Sequence, residues 1–305
     1  MIQKNPYIAG PPIEDEKQFF GRKELIRKLM QGIRSSSQNA FFLHGPRSIG
    51  KTSLLKQLEY NLCDEGYTQV YFDLNGKSRL YLTELLYEIA QAIADACAFQ
   101  PPRQENFDQD GRYFLQVFLP QIEKASPKSN VVLLFDAFDS NAMARAGQAA
   151  KVFLPFLLNH LRSFQKVKIL YCLNSDCEHL LLKSKNSAFF QIPRLSKSET
   201  ATLVRQSEAG GTLLWEKAAI EHVWNLTHGH PFLAQVICNF TWAAARNAKN
   251  GNIPTTTPDD VEAACEAALP KIKKLFQQVL QKLHPPEQAM FGTIVKYCSG
   301  NFDGQ

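Results

Sequence analysis

The stretch FFLHGPRSIGKTSLL, residues 41–55, constrains the fold of this chain more than any other part of the sequence. Between an apolar strand-like segment and a helical one, it contains the pattern G-x-x-x-x-G-K-[ST] at residues 45–52. In this pattern the glycines let backbone N–H groups surround phosphates, the lysine reaches the terminal phosphates, and the hydroxyl ligates Mg²⁺. We therefore expect the following residues to bind the phosphates of a nucleotide: Gly45, Pro46, Arg47, Ser48, Ile49, Gly50, Lys51, Thr52 and Ser53.

A second feature is the acid that ends the apolar segment VVLLFD. A phosphate-binding loop works with an acid at the end of a buried neighbouring strand, which holds magnesium, and Asp136 has this position. Asp139 follows three residues later and is the candidate to orient or deprotonate an attacking water. An acid after a strand is otherwise a cap or turn former. Because the glycine loop lies upstream, we expect Asp136 and Thr52 to form the metal site.

Strand-like and helix-like segments alternate as far as residue 196, and this alternation predicts a parallel sheet covered by helices on both faces. After PRLSKSET only helical patterns follow, so we place a domain boundary near residue 196. In the last of these helices Thr257 is the expected N-cap, with Pro258 at the first helical position. The predicted strands are NAFFLHG, TQVYFDL, NVVLLFD, VKILYCL and AFFQI; the predicted helices of the first region are GRKELIRKLMQGI, KTSLLKQLEYNLC, YLTELLYEIAQAIADAC, YFLQVFLPQIEKA and residues 147–163.

Composition excludes several classes of protein. With 45% hydrophobic and 21% charged residues over 305 positions, the chain is globular rather than disordered. The net charge of +5 includes no concentrated basic stripe, so charge does not indicate a DNA partner. The seven cysteines lack zinc-ligand spacing and are expected to be reduced. No signal peptide and no apolar run of 18 residues is present, and we expect a cytoplasmic protein without a membrane partner.

The segments NPYIAGPPIEDEKQFFGRKEL, GPRSIGKTSLL, LLFDAFD and GHPFLAQ, in this order, resemble the STAND class of AAA+-related ATPases. The bacterial and archaeal members with a GxRxxGKTSLL loop are the most similar, and the resemblance runs from about residue 5 to residue 288. It implies a P-loop NTPase core, residues 22–196, that binds ATP or ADP with Mg²⁺. An extended lead-in over the nucleotide, residues 1–21, would precede the core. A helical lid domain, residues 197–275, would follow it.

The resemblance also implies roles for single residues. The FFGR segment folds over the nucleotide in this class, so Phe20, Gly21 and Arg22 would lie near the base or ribose; the alternative for Phe20 alone is a core aromatic. Pro231 of the GHP motif would contact adenine, unless the motif is only a helix stop and restart. Asn174 would be the polar sensor near the γ-phosphate. The role of Arg194 stays open between contact with a phosphate, contact with a neighbouring subunit and capping of the sheet.

Two departures from the class matter for activity. The acid motif reads Asp-Ala-Phe-Asp-Ser, without the Asp-Glu pair that is usual in these ATPases, so we expect slow hydrolysis. Residues 276–305 resemble the start of a winged-helix domain and then end. We therefore expect either a fragment or a member reduced to its ATPase core, without the C-terminal effector or sensor region of the class.

Three functions are compatible with these sequence features. The first is a signalling ATPase whose bound nucleotide sets the orientation of core and lid, and so controls self-assembly or an effector. The second is an AAA+ ATPase associated with DNA, of the origin-binding or transposition-helper kind. The third is a small-molecule kinase, which is disfavoured because several helices, rather than a short lid, follow the core.

Overall fold

The computed structural model describes residues 4–35, 38–125, 130–137, 147–160, 164, 166–173, 187–247 and 253–280. By their contacts these residues form two compact units. The α/β unit comprises residues 11–200 together with 229–231. The helical unit comprises the residues before position 11, residues 201–228 and the chain from residue 232 onward.

A five-stranded parallel sheet forms the centre of the α/β unit. Its strand order is β2-β3-β4-β1-β5, and every pairing is parallel. All residues of β3 and β4 are buried, as expected for central strands that are covered on both faces. The strands are β1 Ala40–His44, β2 Thr68–Asp73, β3 Val131–Asp136, β4 Val167–Leu173 and β5 Ser187–Gln191.

Helices connect these strands. The helices of this region are α1 Lys23–Arg34, α2 Lys51–Asp64, α3 Leu82–Ala96, α4 Leu119–Ala125 and α5 Ala149–His160. A π-helical turn, Phe114–Phe118, leads directly into α4, and short 3-10 turns occur at Glu16–Gln18, Lys77–Arg79 and Gln104–Asn106. In the described part of the chain, no helix combines the length and the apolar character needed to cross a membrane.

The sheet separates two apolar clusters because successive side chains of a strand point to opposite faces. Phe41 and Leu43 of β1 belong to the cluster that includes α1 and α2. Phe42 of β1 belongs to the other cluster, with α3 and α5, and its ring stacks on Phe189 at a centroid distance of 5.2 Å. Fully burying a side chain of this size contributes about 1.5–3 kcal/mol, so these clusters fix the sheet and hold its loops in place.

The helical unit has its own buried centre. Tyr7, only 2% exposed, donates a hydrogen bond to the Val204 carbonyl and accepts one from Trp215 Nε1 at 3.0 Å. Asn239 Nδ2 donates to the Tyr7 carbonyl at 2.8 Å, which fixes the backbone of the lead-in. The helices that follow β5 in the chain are α6 Lys197–Val204, α7 Gln206–Ala209, α8 Lys217–Thr227, α9 Pro231–Asn247 and α10 Pro258–Leu280.

The expected fold class is confirmed: a parallel sheet flanked by helices, as in P-loop NTPases, is followed by a helical region. Three details differ from the sequence predictions. YFLQVFLPQIEKA is not one α-helix, because Pro120 lacks an N–H for the Gln116 carbonyl; the Leu119 N–H instead donates to Phe114, five residues back. Two strands, Leu214–Trp215 and Thr255–Thr256, form a parallel ladder that is too short to show periodicity in the sequence. The lead-in contains the 3-10 turn at Glu16–Gln18, which Asp15 caps.

Candidate functional site

The glycine loop connects β1 to α2, as the sequence predicts. Gly50 is the N-cap of α2 and has a φ of 93°, which favours glycine. Lys51 Nζ donates to the carbonyl oxygens of Gly45 at 2.8 Å and Pro46 at 3.0 Å. These bonds hold the ammonium group against the loop. The first N–H groups of α2 have no acceptor inside the helix, so the loop and the helix end together favour an anion.

The lead-in is attached to the helix that follows the loop. Ser53 Oγ accepts a hydrogen bond from the Ile13 N–H at 2.9 Å. One turn later on α2, Gln57 Nε2 donates to the Glu14 carbonyl at 2.9 Å. Ser53 lies in the first turn of α2, where its backbone N–H stays a predicted phosphate contact while its hydroxyl holds the lead-in.

Asp136 is the last residue of β3 and lies at the carboxyl ends of the strands, where the glycine loop leaves β1. It is 3% exposed, and Oδ2 accepts a hydrogen bond from the Tyr71 hydroxyl at 3.1 Å. Burial and Asp136 raise the pKa of the Cys172 thiol, whereas Lys51 lowers it. Because both charges act on this one buried thiol, the carboxylate and the ammonium lie in the same neighbourhood. The next residue, Ala137, has a φ of 61°, so the chain turns sharply after the acid.

Gly21 and Arg22 lie beside the loop. Arg22 is 5% exposed; its N–H donates to Glu199 Oε1 at 2.9 Å and its Nη2 donates to the Ile49 carbonyl. Burial lowers the pKa of Arg22 to about 10, and the nearby Glu199 carboxylate partly opposes this effect. Gly21 has a φ of 77° and packs directly against Glu199. The FFGR segment is therefore anchored to the phosphate loop on one side and to the start of α6 on the other.

The GHP motif belongs to the α/β unit. The Leu195 N–H donates to the Gly229 carbonyl at 2.9 Å, and Pro231 begins α9. Burial lowers the pKa of His230 to about 4, a hydrogen bond with the Arg47 backbone raises it, and the positive charges of Arg194 and Arg22 lower it further. The ring is therefore neutral at neutral pH. The motif does end one helix and begin another, as one reading of the sequence expected.

The sequence pattern of the AAA ATPase domain matches residues 18–170, just over half of the 305 residues. The chain belongs to the AAA ATPase domain family. A comparison with curated proteins found no match.

Solved structures resemble this AAA ATPase domain protein in fold. The Walker-type ATPase PABY2304 of Pyrococcus abyssi has a TM-score of 0.63 and 16% identity, over 89% of this chain and 77% of that one. Cdc6p of Pyrobaculum aerophilum has a TM-score of 0.55 and 14% identity, over 85% and 70%. The RuvB Holliday junction branch migration motor of Thermotoga maritima has a TM-score of 0.52 and 12% identity, over 84% and 72%.

The residues of this AAA ATPase domain fit a nucleotide with Mg²⁺. Thr52 and Asp136 offer a hydroxyl and a carboxylate, which are hard oxygen ligands of the kind that Mg²⁺ prefers alongside substrate phosphates. Among the described residues, no group of three or more histidine, cysteine, aspartate or glutamate side chains is arranged as a metal site of its own. Within the part of the chain that the structure describes, the buried atoms Arg22 Nε and His230 Nδ1 have no hydrogen-bond partner, which is costly unless a polar ligand or water is nearby.

Two expected site residues, Asp139 and Asn174, lie outside the described residues. Phe20 is half-buried, and its neighbour Phe19 packs against the apolar cluster of α1 and α2. Arg194 is exposed, in the segment between β5 and α6. Its positive charge lowers the pKa of His230, so Arg194 lies near the GHP motif, and its role stays open between the three alternatives.

Sequence reasoning missed several residues of this AAA ATPase domain that contact the expected site. Glu199 accepts from the N–H groups of Arg22 and Ser196, and Ser196 Oγ accepts from the Glu199 N–H at 3.2 Å. The S-x-x-E spacing of a capping box was a signal for this pair. For Tyr71 the sequence offered only the alternation of side chains along a strand. Tyr71 lies two residues before Asp73, which is opposite Asp136, so Tyr71 and Asp136 share a face of the sheet.

Proposed function

We propose that this AAA ATPase domain binds ATP and ADP with Mg²⁺ and acts as a slow, nucleotide-dependent switch of the STAND type. The observation that supports this most is that the loop with Lys51 and the buried Asp136 both lie at the carboxyl ends of the parallel strands. Loop amides and Lys51 neutralise phosphate charge, and the Thr52 hydroxyl and Asp136 carboxylate would hold the metal.

The remaining site residues have proposed roles within this scheme. Phe20, Gly21 and Arg22 would lie against the base or ribose, and Pro231 would contact adenine. Asp139 would orient or deprotonate the attacking water, and Asn174 would respond to the γ-phosphate. Bound Mg²⁺ would neutralise charge that develops on the phosphates.

Slow hydrolysis follows from the chemistry at the end of β3. Ala137 stands where these ATPases usually carry the catalytic glutamate, so no carboxylate directly follows Asp136. A general base contributes typically about 10²–10⁴-fold to rate, and a displaced base contributes less. We expect turnover far below about one per second, the lower end of ordinary enzyme rates.

A slow enzyme with a long-lived nucleotide is suited to signalling. We propose that residues 1–21 form the lead-in, 22–196 the core and 197–275 a lid, with a winged-helix domain beginning near residue 276. A ligand that binds one arrangement of these parts better than another shifts the population toward it. The proposed outcome is self-assembly through the ATPase domain or control of an effector, in a cytoplasmic protein.

The test is the nucleotide content of the purified protein, measured on an anion-exchange column after denaturation, beside a time course of ATP hydrolysis. We expect bound ADP and slow turnover. Lys51→Ala should bind no nucleotide and keep its fold, whereas Lys28→Ala is the matched control, because Lys28 is exposed and forms an ion pair with Glu24 on the surface of α1. Tight ATP binding by Lys51→Ala would overturn the assignment.

A second function, action on DNA, is favoured by two structural neighbours, Cdc6p and the RuvB Holliday junction branch migration motor. Their fold is shared with this chain at 14% and 12% identity. An electrophoretic shift of duplex DNA that requires ATP and weakens steeply with salt would support this function. If no shift occurs even at low salt, the switch remains the better proposal.

A further inference from the structure

Tyr71 on the edge strand β2 contacts the acid expected to hold magnesium. In the register of β2 and β3, Tyr71 is opposite Leu134 and Asp73 is opposite Asp136. Because alternate residues share a face of the sheet, Tyr71 and Asp136 lie on the same side. The Tyr71 hydroxyl donates to Asp136 Oδ2 at 3.1 Å. One oxygen of the buried carboxylate therefore already has a fixed donor.

The helix that follows the phosphate loop holds the Tyr71 ring. Lys56 lies on α2 one turn after Thr52, and its Nζ is 3.6 Å from the centroid of the Tyr71 ring. The same Nζ is 2.9 Å from Glu59 Oε2, which keeps the ammonium group in place. A cation over an aromatic face attracts the ring electrons, and this makes the phenolic hydroxyl a stronger hydrogen-bond donor.

These contacts connect α2 to Asp136 through one side chain. We propose that Tyr71 is a positioning residue that orients the Asp136 carboxylate toward the Mg²⁺ of a bound nucleotide, an inference that rests on the proposed function. Oδ2 accepts from Tyr71, and among the described residues Oδ1 has no hydrogen-bond donor, so we assign Oδ1 and the second lone pair of Oδ2 to the metal and its water. Loss of a partner that orients a ligating carboxylate typically costs about 10–100-fold in metal affinity or activity.

A purely structural role makes a different prediction. If the hydroxyl only satisfies a buried carboxylate, its removal destabilises the fold and affects nucleotide binding equally with and without metal. If it orients Asp136, its removal affects only the part of the nucleotide affinity that depends on Mg²⁺. The ratio between the two affinities therefore separates the roles, and stability alone does not.

The experiment measures the Kd of a ribose-labelled fluorescent ATP analogue for the full chain, once with excess Mg²⁺ and once with EDTA. We expect Tyr71→Phe to reduce the Mg²⁺-dependent gain in affinity about tenfold, the lower end of the usual effect of such partners. The Kd in EDTA should stay within about twofold. Tyr67→Phe, just before β2, is the matched control, since burial and Glu65 raise the pKa of its hydroxyl but Asp136 has no part in this. Its affinity ratio should equal that of the wild type.

Lys56→Met keeps the test decisive if Tyr71→Phe does not fold. Because Lys56 acts through the Tyr71 ring, this variant should reduce the Mg²⁺-dependent gain by about threefold, and by nothing further once Tyr71 is phenylalanine. An unchanged ratio in Tyr71→Phe, or in Lys56→Met alone where only that variant folds, would refute the positioning role. A wild type that binds the analogue equally in Mg²⁺ and EDTA would refute it as well. Failure of the wild type to bind under either condition would instead overturn the proposed function.

Discussion

Gly21→Ala is expected to destabilise the α/β unit chiefly through a clash with the Glu199 side chain. Gly21 has a φ of 77°, and a Cβ at this position would lie 2.6 Å from both Cδ and Oε1 of Glu199. That carboxylate accepts from the Arg22 N–H at 2.9 Å and from the Ser196 N–H at 2.7 Å. An alanine methyl group therefore requires the Glu199 carboxylate to shift, which weakens or breaks these two bonds, and it also meets Leu195 Cδ2 at 3.0 Å.

The magnitude follows from these contacts. Left-handed backbone costs an L-residue about 1 kcal/mol. A hydrogen bond to a charged group contributes about 1.5–3 kcal/mol, and the lower figure applies because Glu199 is partly exposed and can turn toward water. Complete loss of both bonds together with the backbone cost sets the largest decrease in the free energy of unfolding, about 4 kcal/mol, and a shift that keeps one bond sets the smaller decrease, about 2.5 kcal/mol.

Gly66→Ala is the matched control because Gly66 also has a φ of 77°, but a Cβ there meets nothing within 4 Å. It should cost about 1 kcal/mol. Urea unfolding should be followed by far-UV circular dichroism, since all three tryptophans lie in the helical unit. In a Glu199→Ala background, Gly21→Ala should also cost only about 1 kcal/mol. Equal costs for Gly21→Ala and Gly66→Ala in the wild type would refute the reasoning.

Three other perturbations have defined outcomes. The folded state holds His230 neutral down to a pKa of about 4, whereas the unfolded chain binds this proton near pH 6.5, so stability should fall by about 2 kcal/mol between pH 7 and pH 5. Urea unfolding at pH 7 and at pH 5 should show that His230→Gln loses about 2 kcal/mol less stability between these pH values than the wild type does. An equal loss in both proteins would contradict the assignment of this pH dependence to His230. Thr257→Ala should destabilise α10 by about 1 kcal/mol, because Thr257 Oγ1 accepts from the Asp260 N–H at 3.3 Å; tryptophan fluorescence during unfolding measures this. Tyr7→Phe should cost about 1–3 kcal/mol in the same assay, since the buried Val204 carbonyl and Ser207 Oγ lose the hydroxyl that donates to them, while Trp215 Nε1 keeps its bond to Ser207 Oγ at 2.9 Å. A smaller loss than for Thr257→Ala would argue against this.

The parts of the fold that local patterns determine were predictable. Short apolar runs predicted all five strands of the sheet, and the prediction was clearest for the central strands, which are buried on both faces. The pattern from Gly45 to Thr52 gave the loop and its helix, because few sequences support that backbone. Thr257 was predicted as an N-cap and has that contact, with Asp260 completing the box.

The parts that depend on distant contacts were not predictable. Neither Tyr71 nor Glu199 carries a local pattern that names its partner, since Asp136 is 65 residues from Tyr71 and Arg22 is 177 residues from Glu199. The π-helical turn also escaped prediction, because Pro120 is compatible with the first turn of a helix and its effect falls on the residues before it. Contacts between residues close in the sequence could be inferred from it, whereas contacts that depend on tertiary packing could not.

The burial of Tyr7 among residues beyond position 200 means that the helical unit is not one continuous piece of the gene. Residues 4–10 supply the ring that Trp215 contacts and the carbonyl that Asn239 reaches. A protein expressed from residue 201 onward would lack that ring and leave polar groups unpaired in its interior. Chimeras and truncations should therefore carry this N-terminal peptide with the helices, joined by circular permutation or added in trans.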